Sequence, residues 1–184
     1  MTARDQTQHK LHERCGVLAK VVQSLTPIYH APDTTETQRH LLETMIGAAI
    51  WYLPQSKQLW TGRISVAAIG SFHPTTGAEK PKLTADHEFP RKVAARELLT
   101  SSWVDDSQPA EKLMQLYQSR YGRFNYITPA ENRKLMRYQR TDAFQTISKS
   151  YANAGITLVP VTSSELVSIR SRNSDLIDIV LGRA

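Results

Sequence analysis

The stretch Phe124-Asn125-Tyr126-Ile127-Thr128-Pro129-Ala130-Glu131-Asn132 joins a short β-favouring run directly to the start of a helix. Thr128 is a typical N-cap residue, the proline that follows is favoured at the first helical position, and Glu131 completes a capping box. The pattern predicts a strand in the first five residues and a helix from residue 129 to about 151. Asn132 then lies near the start of that helix.

A second short segment, Leu83-Thr84-Ala85-Asp86-His87-Glu88-Phe89-Pro90, lies upstream and precedes the helical stretch RKVAARELL. Adjacent residues of an extended segment point to opposite sides, so Asp86 and His87 can address two different groups. Phosphodiester hydrolysis needs a base for the attacking water and a positive charge beside the leaving oxygen. A histidine can supply the first, and a hard cation held by Asp and Asn oxygens the second. Asp86, His87 and Asn132 are therefore candidates for one site.

The flanking regions are mostly helical. Leu11, Cys15, Leu18, Val22 and Leu25 form an apolar stripe that we expect Pro27 to end. A second helix opens with a capping box at Thr35 and Gln38 and is expected to run until Pro54. Its predicted buried residues are Leu42, Met45, Ile46, Ala49 and Leu53.

Further along the chain, residues 64–72 (ISVAAIGSF) suit either a strand or a short buried helix. A helix is predicted over about 110–121, a strand over 156–161, and a final helix capped by Thr162 and Glu165. The fold class is therefore α+β and helix-rich. We expect an N-terminal helical region 1–62 for scaffold and dimerisation, a central region 63–150 with the candidate site, and a C-terminal strand-helix extension 151–184.

The basic charge is concentrated in one part of the chain. The 184 residues carry 23 Lys and Arg against 17 Asp and Glu, a net charge of +6. Residues 120–149 hold seven basic side chains against two acidic ones. Arg133, Arg137 and Arg140 fall at i, i+4 and i+7 on the helix of Asn132, as a stripe suited to phosphates. Arg91, Lys92 and Arg96 are candidates for the other side of the site, while a solvated helix face is the alternative interpretation.

Several classes of protein are excluded by composition. The single cysteine, Cys15, cannot form an internal disulfide or a Cys-rich zinc site, so no structural zinc is expected. No apolar run approaches the roughly 20 residues of a membrane helix, and the first ten residues lack the apolar region of a secretory signal. We therefore expect a cytoplasmic protein that does not associate with membranes.

The residues Asp86, His87 and Pro90, followed by FNYIT and Asn132, resemble the signature of the HNH, or ββα-metal, nucleases. The closest resemblance is to phage endonuclease VII and the phage-borne homing endonucleases, and it covers residues 83–147. It implies a ββα-metal core in which His87 is the general base and Asp86 and Asn132 bind one Mg²⁺, for which Mn²⁺ can substitute. The stretch between His87 and Asn132 departs from the family, because it holds two predicted helices where a short loop is usual.

The resemblance implies a metal-dependent endonuclease that makes double-strand breaks in DNA, from a phage or a mobile element in its host cell. Double-strand cleavage needs two sites, and the N-terminal helices have broad apolar faces, so a homodimer, or even an intertwined one, is expected. A junction-resolving nuclease, an RNA nuclease and a non-catalytic DNA-binding regulator are the alternatives. Candidates for a third metal ligand are Glu88 and Asp142. We interpret the other histidines as structural or solvated, and Trp103, Tyr121 and Tyr126 as core residues.

Overall fold

The computed structural model describes residues 3–74, 81–102, 107–141 and 147–182. The fold is α+β and helix-rich, as predicted, with a four-stranded mixed sheet among the described residues. The chain forms two compact units, Met1–Leu59 with Phe89–Arg123 and Trp60–Glu88 with Phe124–Ala184. Each unit combines two separate stretches, unlike the three consecutive regions expected from sequence, because strands far apart in the chain pair with one another.

The first unit is helical. In it, α1 (Ala3–His30) packs against α5 (Pro109–Leu116), and α2 (Glu36–Trp51) packs against α4 (Arg91–Thr100). A 3₁₀ turn over Lys57–Leu59 and a π-helical turn over Tyr117–Tyr121 belong to the same unit. Its buried core includes Leu11, Cys15, Val22, Ile46, Leu98, Leu113 and Tyr117.

The first helix continues past Pro27 to His30, so the prediction that Pro27 ends it is wrong. A proline removes one backbone hydrogen bond, and here the loss falls within the last turn, where few bonds remain to be made. The end of α1 is closed instead at the carbonyl of Ile28. That oxygen accepts the Ala31 amide at 3.2 Å and the Thr34 hydroxyl at 2.5 Å.

The second helix begins with the predicted capping box of Thr35 and Gln38, but its inner face differs from the expectation. Met45 is 52% exposed, so its predicted burial is wrong, and Glu43 is completely buried. A buried carboxylate needs hydrogen-bonded partners. Glu43 Oε1 accepts the Tyr29 hydroxyl at 2.8 Å and the Arg96 Nε at 2.7 Å. Arg96, one of the candidates for phosphate binding, is therefore engaged in the core of the first unit.

The second unit is built on β1 (Trp60–Ser65), β2 (Thr84–His87), β3 (Phe124–Ile127) and β4 (Leu158–Pro160). These strands lie in the order β2-β3-β1-β4. The β3 strand is antiparallel to β2 and parallel to β1, and β4 is antiparallel to β1. The β2 and β3 strands are thus neighbours although 36 residues separate them in sequence, a stretch most of which belongs to the first unit.

Helices cover both faces of this sheet. On one face, α3 (Val66–Gly70), α8 (Ser163–Arg170) and α9 (Ser174–Leu181) enclose a core that includes Ile69, Val159, Ile169 and Ile177. The other core, with α6 (Pro129–Thr141) and α7 (Ile147–Ala154), includes Ile127, Leu135, Tyr151 and Ile156. The adjacent residues Tyr126 and Ile127 contribute to different cores, as alternation along a strand requires.

Two predicted helices are each divided in two. The Tyr138 hydroxyl donates to the Asn153 carbonyl at 2.8 Å, whereas a continuous helix would separate them by about 22 Å. The chain therefore turns back between α6 and α7, and the predicted helix to about Tyr151 is wrong. The final helix is divided because Arg172 is left-handed (φ 62°) and Asn173 caps α9.

The remaining expectations agree with the structure or refine it. Residues 64–72, left open between strand and helix, contain both: β1 ends at Ser65, whose hydroxyl caps α3 by accepting the Ala68 amide at 3.1 Å. The capping box of Thr162 and Glu165 is present at the start of α8. Among the described residues, none of the helices is long and apolar enough to cross a membrane.

Candidate functional site

The candidate site lies at the end of β2 in the second unit. Asp86 is opposite Asn125 in the β2–β3 ladder, and His87 is opposite Phe124. Cross-strand partners share a face, and adjacent residues do not. Asp86 therefore lies on the face covered by α6 and α7, and His87 on the face of the other core. This register therefore places the Asp86 and His87 side chains on opposite faces of the sheet, as alternation along the segment predicted.

Asp86 is held by a chain of hydrogen bonds that the sequence did not indicate. The Tyr151 hydroxyl donates to Asp86 Oδ2 at 2.5 Å, and Asn125 Nδ2 donates to that hydroxyl at 3.2 Å. The Thr61 hydroxyl donates to Asn125 Oδ1 at 2.5 Å. Asn125 is fully buried and Tyr151 is 6% exposed. We call these four residues, Thr61, Asn125, Tyr151 and Asp86, the Asp86 relay.

The Tyr151 hydroxyl is a neutral donor in this chain. Burial raises the pKa of Tyr151 far above its usual range, and the negative charge and hydrogen bond of Asp86 raise it further. The Glu88 carboxylate adds a smaller increase in the same direction, while the Asn125 hydrogen bond opposes it. Tyr151 therefore stays protonated and donates its hydrogen to Asp86 throughout the physiological range.

A bulge in β1 brings Thr61 to this relay. Trp60 pairs with Phe124 and Ile64 pairs with Tyr126. Between these two pairs β1 advances by four residues, whereas β3 advances by two. Gly62 has φ +79°, a conformation that only glycine adopts without strain. Such bulges redirect side chains near functional sites. Here the bulge turns Thr61 towards Asn125, and the Gly62 carbonyl accepts the Val161 amide at 2.8 Å.

The start of α6 is anchored by its capping box. Thr128 Oγ1 accepts the Glu131 amide at 3.1 Å, and Glu131 Oε2 accepts the Thr128 amide at 2.8 Å. The same oxygen accepts the Ser65 hydroxyl of β1 at 2.7 Å. Asn132 is one residue further along α6, so its half-buried side chain is rotated by about 100° from Glu131. The α6 helix also packs against β2, the strand of Asp86.

His87 and Glu88 complete this end of β2, and both are half-buried. The Nδ1 atom of His87 is shielded from solvent. The Glu88 carboxylate lies 3.9 Å from the Arg63 guanidinium, which the β1 bulge carries. Of the two candidate third ligands, Glu88 is thus close to the relay, and Asp142 lies outside the described residues.

The side chains at this end of β2 fit a hard divalent cation better than a soft one. Asp86 and Glu88 offer carboxylate oxygens, and Asn132 offers an amide oxygen. Mg²⁺ typically takes one or two carboxylates and completes its coordination with water and substrate phosphates. The described residues contain no group of three or more His, Cys, Asp or Glu side chains placed to hold a metal ion.

The predicted phosphate-binding residues fall into two groups. Arg133 and Arg137 are exposed on α6, in the unit that holds Asp86 and Asn132. The side chain of Arg140 lies outside the described part of the structure. Arg91 and Lys92 open α4 in the first unit, where the Arg91 guanidinium lies 3.4 Å from the centroid of the Trp51 ring.

The other residues weighed from sequence have local partners. Four histidines face carboxylates at 2.9–3.8 Å, and His30 contacts the Leu99 carbonyl at 3.1 Å. The four are His9, His12, His40 and His73. Tyr121 is buried, Tyr126 packs on the core of the second unit, and Trp103 lies outside the described residues.

The sequence analysis missed Tyr151, Asn125 and Thr61. One signal was available: Asn125 is the only strongly polar residue within Phe124–Ile127, a run that is otherwise aromatic or aliphatic. A buried amide in a strand usually indicates a hydrogen-bonded partner. Its partners could not be named, because they lie 64 and 26 residues away.

Comparison with known proteins adds no relative: neither the family models, nor the curated proteins, nor the solved structures give a match to this chain. The functional interpretation therefore depends on the site itself.

Proposed function

We propose that this protein is a metal-dependent DNA endonuclease of the HNH, endonuclease VII-like type, which hydrolyses phosphodiester bonds. The observation that supports this most is the end of β2. Asp86 and His87 point to opposite faces of the sheet there, and α6, which carries Asn132, packs against the same strand. One strand end thus carries a potential base and a potential metal ligand. Within this class, we assign the protein to the homing endonucleases of phages and mobile elements.

In the proposed reaction, the His87 imidazole accepts the proton of the water that attacks the phosphorus. The Asp86 carboxylate and the Asn132 amide oxygen would hold Mg²⁺ or Mn²⁺, which would supply positive charge for the leaving 3′ oxygen. The relay keeps Asp86 oriented before substrate arrives. Preorganised groups of this kind do not have to reorganise during the reaction.

Substrate binding is assigned to the exposed arginines of α6. Arg133 and Arg137 are one helical turn apart, a spacing that presents two guanidinium groups on one side of the helix. Arginine contacts to phosphates position a nucleic-acid backbone without reading its bases. Arg140 continues the stripe in sequence, and Arg91 and Lys92 are proposed as further DNA contacts from the first unit.

The test is the conversion of supercoiled plasmid to nicked and linear forms by the full chain, with Mg²⁺, with Mn²⁺ and with EDTA. We expect cleavage with either metal and none with EDTA. Absence of any product with both metals would contradict the enzyme. DNA binding that persists in EDTA without cleavage under any condition would favour the non-catalytic regulator instead.

The same assay separates the enzymatic alternatives. A linear duplex, a four-way junction and an RNA duplex of matched length are compared at equal concentration. We expect the linear DNA duplex to be cut. Preference for the junction would identify a junction-resolving nuclease, and preference for RNA an RNA nuclease, with the same catalytic residues in each case.

We further propose that the protein acts as a homodimer through α1 and α2. Val17, Val21 and Ile28 are exposed on α1, and Leu41, Met45 and Tyr52 are exposed on or just after α2. Both sets have the spacing i, i+4, i+11, which is three helical turns. A groove of about 400 Å³ lined by Val17, Val21, Ala49 and Tyr52 joins them.

The size of this apolar surface is the argument for a second copy. We call it the α1–α2 stripe. Its six large side chains are between 40% and 73% exposed. At roughly 100 Å² each, the exposed areas of the six side chains reach the upper end of the about 300–600 Å² covered by the largest apolar patch of a typical monomer. A two-fold pair covers both stripes at once, because the same surface is used by both copies.

A further inference from the structure

The Asp86 relay has a consequence for how Asp86 binds a cation. We propose that Tyr151 is a positioning residue, whose hydroxyl fixes the Asp86 carboxylate in the orientation that binds the divalent cation. This inference rests on the proposed function, since it assumes that Asp86 is a metal ligand. It adds a residue that belongs to another helix and that the sequence motif does not contain.

The geometry of the hydrogen bonds supports a positioning role. Tyr151 donates to Oδ2 of Asp86 at 2.5 Å, which limits rotation of the carboxylate. The phenol itself is fixed on its other side, where Asn125 Nδ2 donates to the hydroxyl at 3.2 Å. Asn125 is in turn fixed by Thr61. Each member is constrained by the next, so the Asp86 side chain loses little further freedom when a cation binds.

The chemistry of the donor is suited to this task. A lysine or a protonated histidine in place of Tyr151 would also orient the carboxylate, but its positive charge would repel the cation. A phenol hydroxyl carries no positive charge, so it orients Asp86 and leaves the negative charge of the carboxylate for the metal. The Tyr151 hydroxyl, held by the buried Asn125 amide, therefore orients the Asp86 carboxylate without reducing its negative charge.

The packing of Tyr151 explains why the relay is rigid. Its ring belongs to the core with Ile127, Leu135 and Ile156, and its backbone carbonyl accepts the Ile156 amide at 2.9 Å. Replacing Tyr151 with phenylalanine keeps the ring and removes only the hydroxyl. The substitution leaves Asn125 Nδ2 without its acceptor and Asp86 Oδ2 without this donor, while the apolar packing is retained.

The test is a calorimetric titration of the full chain with Mn²⁺ in the absence of nucleic acid, for wild type and Tyr151→Phe. We expect the dissociation constant to rise about 10-fold or more, as for other partners of metal ligands. Tyr138→Phe is the matched control, because its hydroxyl lies in the same layer but donates to the Asn153 carbonyl. Its Mn²⁺ affinity should equal that of wild type.

The outcomes separate this inference from the proposed function. If wild type binds no Mn²⁺, the metal site and hence the proposed function fail. If wild type binds and Tyr151→Phe binds equally well with an unchanged circular dichroism spectrum, the positioning role alone is overturned. If Tyr151→Phe does not fold, Thr61→Val tests the relay from its far end. This variant should weaken Mn²⁺ binding about 2- to 5-fold, less than the loss of the direct partner of Asp86. Unchanged Mn²⁺ affinity of Thr61→Val would overturn the proposal.

Discussion

At the scale of single residues, Asn125 shows how the site is organised. Its side chain is completely buried, yet its oxygen accepts from Thr61 and its nitrogen donates to Tyr151. Leaving a buried polar group without a partner costs about 1–3 kcal/mol. Burial of the Asn125 amide is therefore stable only when Thr61 and Tyr151 both form their hydrogen bonds with it. This requirement couples β1, β3 and α7, and through Tyr151 it fixes the carboxylate of Asp86.

Cys15 gives a prediction at the same scale. It is fully buried in the first unit, and burial raises the pKa of its thiol to about 12. The neutral thiol is thus favoured by folding. This contribution to stability is complete below the unfolded pKa, near 8.5, and is lost as the pH rises through about 12.

We therefore expect Ellman's reagent at pH 8 to label the folded protein very slowly and the protein in 6 M urea within minutes, since the thiolate is the reactive form. The comparison is made by absorbance at equal protein concentration. Labelling of the folded chain at the unfolded rate would contradict the burial of Cys15.

At the scale of elements, α6 carries Asn132 and the exposed arginines Arg133 and Arg137. Its start was predictable because a capping box uses residues three apart. Its end was not, because α6 and α7 pack against each other, a contact that local sequence patterns do not encode. For the same reason Asp86, His87 and Asn132 could be proposed from local patterns, while the partners Tyr151 and Thr61 depend on contacts across the second unit. Elements that depend on neighbouring residues could be predicted from the sequence, whereas contacts between residues far apart in the chain could not.

The cap of α6 can be tested by Thr128→Ala. The hydroxyl of Thr128 accepts the Glu131 amide, so its loss should lower the free energy of unfolding by about 1 kcal/mol. Urea denaturation measures the change. Thr44→Ala is the control, since Thr44 lies inside α2 on an exposed surface, where alanine is the better helix former. Equal stability of Thr128→Ala and wild type would contradict the cap.

The exposed face of α6 gives a second prediction. Arg137→Ala should weaken DNA binding in EDTA to all sequences alike, and should reduce the slope of log K against log salt by about 1. Fluorescence anisotropy at several salt concentrations measures both. Lys20→Ala, an exposed substitution on α1, should leave the slope unchanged. An unchanged slope for Arg137→Ala counts against the arginine stripe.

At the scale of the whole molecule, the chain passes between its two units three times, at residues 59–60, 88–89 and 123–124. The helices between His87 and Phe124 belong to the first unit. This explains why the gap between the two halves of the motif is so long. Sequence patterns identified those helices but not the unit to which they belong. The periodicity of a helix indicates its apolar face, but it does not indicate which other helix packs against that face.

The α1–α2 stripe predicts the assembly state. Light scattering after size exclusion should give a mass near twice the 20.8 kDa of one chain. Val21→Glu places a charge at the centre of the stripe and should give a monomer that keeps its helical circular dichroism spectrum. Lys20→Glu, the adjacent exposed residue, should stay dimeric. A wild-type monomer at micromolar concentration would contradict the dimer.

The proposed nuclease site at the end of β2 is tested most directly by substitution of His87. The measurement is the initial rate of Mg²⁺-dependent nicking of supercoiled plasmid by wild type, His87→Ala and His73→Ala. His73 lies in the same unit and faces Asp178 at 3.7 Å, so it controls for the loss of a histidine. We predict a fall of about 100-fold or more for His87→Ala, the usual effect of losing a general base, and no change for His73→Ala. Nicking by His87→Ala at the wild-type rate would contradict the account.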